Sequence, residues 1–369
     1  MAAKTTFSPP PPAPPLRLVF WESTAECNLA CAHCRRTEVG HELSRWNLST
    51  GEMAAVIDDL GRTYPRTLLV FSGGEPLLRA DVFPLARRAR AAGLLAAMAT
   101  NGTLVTAELA ARIAATGFSR VSVSLDGTQA ETHDALRRVN GSFEQALRGL
   151  RLLRQAGQAV QINMSVTRRN ADQVEAMFRL AEAEGAAALH VFIVVPVGCG
   201  AKLDESDRLS PAEYEQFLRT FYRLSAGSAL DTKATCAPQY ARITQELARR
   251  EGLGDEAGGR ADEKGQRPVG CLAGSGVCFV NHRGEVYPCG YLPVRCGNVR
   301  EMPLSEIWRD SAVFARLRQP DLLQGKCGTC DHRSICCGCR ARAFAATGDY
   351  LAAEPDCLYQ PKPQPEAGR

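Results

Sequence analysis

No stretch of this chain approaches the roughly 20 consecutive apolar residues that a membrane-spanning helix needs. The longest apolar run, "LHVFIVVPV", is less than half that length. The opening segment "MAAKTTFSPPPPAPPLR" lacks the apolar core of a secretion signal and reads as a flexible, proline-rich extension. Charge of one sign is scarce as well. The net charge is only +4 and the basic residues form no long block, which removes the usual argument for a nucleic-acid partner. There is no internal repeat. What remains is a chain of 369 residues, 45% hydrophobic and 23% charged, the balance of an ordinary globular protein of about two domains. These absences predict a soluble, cytoplasmic protein with neither membrane nor nucleic acid as partner. Arginine greatly outnumbers lysine; that suits forked recognition of carboxylates, and gene base composition accounts for it equally.

Cysteine is the residue in excess, with 15 in the chain. An odd number at short spacings, with no secretion signal, argues against a disulfide scaffold and for metal chemistry in a reducing compartment. Cys27, Cys31 and Cys34 stand as Cys-x3-Cys-x2-Cys in "TAECNLACAHC", with no fourth cysteine nearby. A four-iron cluster takes four thiolates, so three leave one iron open to an outside ligand. A structural zinc site is the alternative, with His33 or His41 as fourth ligand, and plain buried thiols are a third reading. Downstream, "LLVFSGGEP" sets Gly73, Gly74 and Glu75 at the end of an apolar run. Glycine permits close backbone approach, and a carboxylate there can take an ammonium group.

Short apolar runs alternate with amphipathic segments from Leu16 onward. "LRLVFWES", "TLLVFSGG", "LLAAMATNG", "RVSVSLDG", "VQINMSVT" and "LHVFIVVPVG" read as strands, with helices expected over 50–62, 80–92, 106–116, 142–156 and 171–184. This alternation predicts an α/β fold with a parallel sheet, and six units suggest a partial (β/α)6 barrel with its site at the strand C-termini. The predicted organisation is an extension over 1–15, the barrel over 16–200, a helical bridge and polar linker over 201–269, a cysteine-rich domain over 270–361 and a disordered tail over 362–369.

Together the three-cysteine loop and the Gly-Gly-Glu loop resemble the signature of radical S-adenosylmethionine (radical SAM) enzymes. That resemblance implies Cys27, Cys31 and Cys34 as ligands of a [4Fe-4S] cluster that binds S-adenosylmethionine, and Gly73, Gly74 and Glu75 as the loop for the methionine amine. It places Ser124 and Asp126 of "SVSLDG" on the ribose side and Arg137 of "HDALRR" at the methionine carboxylate. Asn101 and Asn163 are further candidates, with strand-end capping the alternative for Ser124, Asn101 and Asn163. His33 departs from the family, which more often has an aromatic residue there.

The later cysteines resemble a SPASM extension carrying two auxiliary [4Fe-4S] clusters. The resemblance implies Cys271, Cys278, Cys289 and Cys339 for one, and Cys327, Cys330, Cys336 and Cys357 for the other. A pair of structural zinc sites is the alternative, and Cys337 adds a spare thiol beside Cys336. Cys199, Cys236 and Cys296 read as small buried side chains, Cys236 being the one to watch. The wording of "GCLAGSGVCFVNHRGEVYPCGYLPVRCGNVR", "CRARAFAATGDYLAAEPDCLYQP" and "KATCAP" is similar to the haem b synthases of the siroheme-dependent haem pathway, with the haem d1 maturases close by. An iron-porphyrin substrate is then implied, with an electron donor such as ferredoxin or flavodoxin. Arg340 and Arg342 become candidates for its propionates, with surface solvation the alternative. A radical SAM peptide maturase and a non-catalytic zinc or iron–sulfur scaffold are the rival readings.

Overall fold

The computed structural model describes residues 13–36, 40–252 and 270–361. Most of the expected N-terminal extension, the glycine-rich linker and the tail lie outside the described residues. The six expected strands are all present: β1 Leu18–Glu22, β2 Leu68–Ser72, β3 Leu95–Thr100, β4 Arg120–Ser124, β5 Val160–Val166 and β6 Ala188–Ile193. They pair in sequence order and in parallel. The sheet does not stop at six. β7 (Asp231–Thr235), inside the expected helical bridge, runs parallel to β6, and β8 (Val277–Val280), inside the cysteine-rich segment, runs parallel to β1. β9 (Glu285–Tyr287) and β10 (Gly297–Asn298) extend that side antiparallel. β7 has the polar sequence DTKAT and is only half-buried, so it carries no apolar signal.

The helices of the first six units are α1 Thr50–Thr63, α2 Val82–Ala91, α3 Ala107–Thr116, α4 Ala130–Arg137, α5 Ser142–Gln155 and α6 Val174–Ala183. Then come α7 Pro211–Ala226, α8 Gln239–Arg250, α9 Leu304–Asp310, α10 Ala312–Leu317, α11 Gly325–Gly328 and α12 Arg340–Thr347. α1 and α7 begin at complete capping boxes, Ser49 with Glu52 and Ser210 with Glu213, which satisfy otherwise orphaned N–H groups. α4 escapes a periodicity search because it is eight residues long and buries only His133, Leu136 and Arg137.

One face of the sheet packs on the helices. Val19, Trp21, Leu69, Phe71, Val121, Val123, Ile162, Met164, Leu189 and Val191 belong to this core, where Trp21, Phe71 and Phe118 make edge-on ring contacts at 5.5 and 5.9 Å. Residues paired across a parallel sheet share a face. The opposite face therefore carries the row Phe20, Val70, Ala97, Arg120 and, nearer the strand C-termini, the row Ser124, Asn163, His190, Lys233. That face is apolar over β1 to β3 and polar over β4 to β7. Among the described residues no helix is long and apolar enough to cross a membrane.

Candidate functional site

The loop after β1 carries Cys27, Cys31 and Cys34, all reduced and half-buried. The loop after β2 lies directly beneath it. Gly74 N–H donates to the Thr24 carbonyl at 2.9 Å and Glu75 N–H to the Glu26 carbonyl at 2.8 Å. A Cβ at position 74 would sit 1.9 Å from the Glu26 carbonyl oxygen and 3.0 Å from the Cys27 Cβ. The second glycine of the motif is thus required by the cysteine loop's own backbone. Gly198, in the loop after β6, does the same from the other side. Its φ is +59, and a Cβ there would lie 2.0 Å from the Arg35 carbonyl oxygen.

Glu75 is wholly buried. It accepts from the Thr100 hydroxyl and the Asn101 N–H, both at 2.8 Å, and from the Leu77 N–H at 3.1 Å. Burial pushes its carboxyl up to about 7, against the lowering effect of these donors. In this structure the carboxylate ties the ends of β2 and β3 together. Asn101 carries the tie onward, its amide donating to Asn28 Oδ1 at 2.8 Å, while Asn28 donates to the Thr103 hydroxyl at 2.8 Å.

Asp126, also fully buried, lies 2.7 Å from Arg137 Nε, an ion pair off-line for a hydrogen bond. Its Oδ1 accepts from the Ser165 N–H at 2.8 Å, and its Oδ2 lies 3.3 Å from His33 Nε2. Burial pushes the Asp126 carboxyl up, but Arg137, His33 and His133 outweigh it and hold it below the ordinary range. Arg137 also points Nη1 at Cys31 Sγ, 3.6 Å away. The structure brings Arg137 to the cysteine loop, with Asp126 as its anchor. Ser124 and Asn163 face the same side of the sheet as register neighbours.

One part of the site carries no sequence motif. Glu22, the buried last residue of β1, accepts from Arg35, from Arg36 Nη1 at 2.7 Å and meets His282 Nδ1 at 2.6 Å. Burial pushes its carboxyl up, but Arg35, His282 and Arg36 together hold it at about 2. Glu22 thus joins the exit of the cysteine loop to the strand turn after β8. An acid ending an apolar strand just before the cysteines was the available signal.

The later cysteines sort into groups. Cys327, Cys330, Cys336 and Cys357 line one cavity, together with Cys337. Backbone N–H groups already point at three of these sulfurs: Glu354 at Cys327 (3.3 Å), His332 at Cys330 (3.4 Å) and Gly338 at Cys336 (3.4 Å). Leu29 N–H is likewise 3.4 Å from Cys27 Sγ. Such donors suit thiolate sulfur bound to iron and tune the cluster's potential. Cys289 and Cys339 share a second packed patch, and Cys271 lies within their electrostatic reach. Burial raises the free thiols, Cys27 to about 11 and Cys289 to about 12, so metal loading must release protons. Among the described residues no three His, Cys, Asp or Glu side chains are gathered tightly enough for a single metal ion.

Two expectations are corrected. Cys278 is fully buried on β8 and belongs to the core between sheet and helices, with Cys296 as the only thiol in its electrostatic field. Arg340 and Arg342 are each only 2% exposed. Arg340 donates to the carbonyls of Tyr350 and Ala352 at 3.0 and 2.7 Å. Arg342 pairs with Glu354 at 2.9 Å and donates to the Cys236 carbonyl at 2.5 Å. Both guanidiniums are committed to the protein and have no fork left for a propionate.

Residues 21–181 match the radical SAM superfamily, and 271–331 match an iron–sulfur cluster-binding domain, SPASM. An "AdoMet-dependent heme synthase" of Methanosarcina barkeri is 48% identical over 94% of this chain and 97% of its own. This chain belongs to the radical SAM/SPASM family. It is an enzyme of that family, with a [4Fe-4S] cluster that works with S-adenosylmethionine and with auxiliary clusters in the SPASM region. A "Pre-heme d1 synthase" of Dinoroseobacter shibae is more distant, 33% identical over 95% of this chain and 89% of its own. Among solved structures, Streptococcus suis SuiB bound to its precursor peptide SuiA superposes with a TM-score of 0.72 at 16% identity, covering 94% of this chain and 76% of that one. At that identity the likeness is one of fold.

Proposed function

We propose that this chain converts iron-coproporphyrin III to haem b by oxidative decarboxylation of two propionate side chains to vinyl groups. The observation that carries the reading is the likeness to the heme synthase, 48% identical over 94% of this chain and 97% of its own. When bound, the cluster and S-adenosylmethionine supply a 5′-deoxyadenosyl radical able to abstract hydrogen from a propionate. The chain's own residues bind and orient. Cys27, Cys31 and Cys34 would hold three corners of the cluster. Arg137, fixed by Asp126, stands beside Cys31 where a carboxylate chelating the open iron would meet it. Ser124 and Asn163 offer short polar groups on the open sheet face for the ribose.

The same face suits a porphyrin. Phe20, Val70 and Ala97 offer an apolar bed, and the β4 to β7 half offers polar partners. Lys233, in register with His190, is a cation on that face for a propionate, in place of Arg340 and Arg342. The four thiols around the cavity at Cys327 would hold one auxiliary cluster and the group at Cys289 the other. A ferredoxin or flavodoxin would supply the electrons, and the setting would be the cytoplasm.

The test is an anaerobic incubation with dithionite, S-adenosylmethionine and iron-coproporphyrin III, read by mass. Two successive losses of a carboxyl group, ending at haem b, are expected. Formation of 5′-deoxyadenosine with the porphyrin left intact would overturn the substrate assignment.

A further inference from the structure

We infer that Cys236, and not Cys278, supplies the fourth thiolate of the auxiliary cluster held by Cys271, Cys289 and Cys339. The inference rests on the auxiliary-cluster reading above and names one of that cluster's ligands.

Position decides between the two thiols. On β8, Val277 and Phe279 pair with Leu18 and Phe20, whereas Cys278 pairs with Val19. Alternation along a strand sends Cys278 to the helix-covered face, among the core side chains. Cys289 and Cys339 belong to a different packed cluster, with Val195, Leu292 and Tyr291. Cys236 belongs to that same cluster. Its thiol also lies in the electrostatic reach of three others, Cys339, Cys289 and Cys271. Cysteine spacing does not reveal this, because Cys236 stands 35 residues before Cys271 and outside the SPASM match.

The backbone supports the same assignment. Cys236 follows the last residue of β7, at the C-terminal end of the parallel sheet. Its φ is +56, in the left-handed region that a non-glycine residue seldom occupies. Such strain persists only where the surroundings enforce it, and it gathers at functional sites. Here Arg342 Nη2 holds the Cys236 carbonyl at 2.5 Å and the Tyr214 hydroxyl lies 3.3 Å from it. Arg342 is itself fixed by Glu354, whose other oxygen accepts the Cys339 N–H at 2.5 Å. One buried ion pair therefore positions two of the four thiols. That gives Arg342 a role as a positioning residue.

The test uses full-length protein, reconstituted anaerobically with iron and sulfide, and counts iron alongside the EPR spectrum of the reduced protein. Wild type is expected to hold about 12 irons per chain. Cys236→Gly, which tolerates the positive φ, is expected to fall to about 8 irons or, where three thiolates retain the cluster, to change one auxiliary EPR signal. Cys278→Val is expected to match wild type in both readouts. An unchanged count and spectrum in Cys236→Gly, or loss of a cluster in Cys278→Val, overturns the assignment. If wild type itself holds only about 8 irons, the two-auxiliary-cluster reading fails, and the Cys236 assignment stands only if Cys236→Gly removes about four more.

Discussion

Replacing Glu22 by Gln keeps the shape of the side chain and removes its charge. The residue is 3% exposed and receives Arg35, Arg36 and His282. Their hold lowers its carboxyl from the ordinary 4.5 to about 2, a difference worth about 3 kcal/mol. Breaking a buried ion pair from one side costs a similar amount, about 3–5 kcal/mol. Glu22→Gln is therefore expected to lower the unfolding free energy by about 3 kcal/mol at pH 7, measured by anaerobic urea titration followed by far-UV circular dichroism. The pH dependence has a fixed sign. A carboxyl depressed in the folded state contributes fully above its unfolded value, about 4.5, and loses that contribution as pH falls toward about 2. The gap between wild type and variant should narrow by about 1 kcal/mol between pH 7 and pH 4. A loss below 1 kcal/mol at pH 7, or a gap that widens in acid, would refute the reasoning. Because Glu22 links the cysteine loop to the segment after β8, weaker iron retention at Cys27, Cys31 and Cys34 should accompany the loss.

Gly74→Ala places a methyl group against the Glu26 carbonyl, so it should displace the cysteine loop and abolish S-adenosylmethionine cleavage while the SPASM-region iron stays bound. Iron analysis beside a cleavage assay checks this, and normal cleavage would count against it. Arg342→Ala should cost about 3–5 kcal/mol by stranding buried Glu354, whereas a propionate-binding arginine would instead raise KM and leave stability intact. Burial holds His190 down to about 3, so the native state resists its protonation while the unfolded chain accepts a proton below about 6.5. His190 alone should account for about 2 kcal/mol of lost stability from pH 8 to pH 5, beside the buried His33 and His133, which are also held down to about 4, and His190→Gln should make the slope shallower by that amount.

The central fold was legible because six apolar runs, each followed by an amphipathic helix, write a parallel sheet directly into the sequence. β7 and β8 were not, since DTKAT is polar and half-exposed and VCFV sits among cysteines that read as metal ligands. The reading of the first cysteine set came from its spacing together with the Gly-Gly-Glu loop, since the spacing alone left zinc open. The auxiliary set was only partly legible. Spacing gathers Cys327, Cys330 and Cys336 but says nothing of Cys236, which the sheet delivers from 35 residues upstream of Cys271. Arg340 and Arg342 misled for a related reason. A cationic pair in a polar-looking segment suggests carboxylate binding, and only the packing reveals that Glu354 and backbone carbonyls already occupy it. Glu22 and Asn28 hold the cysteine loop through single side chains, and single side chains leave no periodic trace.

The account turns on three thiolates leaving one iron open for S-adenosylmethionine. The most direct measurement is 5′-deoxyadenosine formed by the reconstituted, dithionite-reduced protein, compared with the same preparation of Cys27→Ala. Release by wild type and none by the variant, with the variant keeping its SPASM-region iron, is the expected result. No 5′-deoxyadenosine from fully loaded wild type, or equal amounts from both, would contradict it.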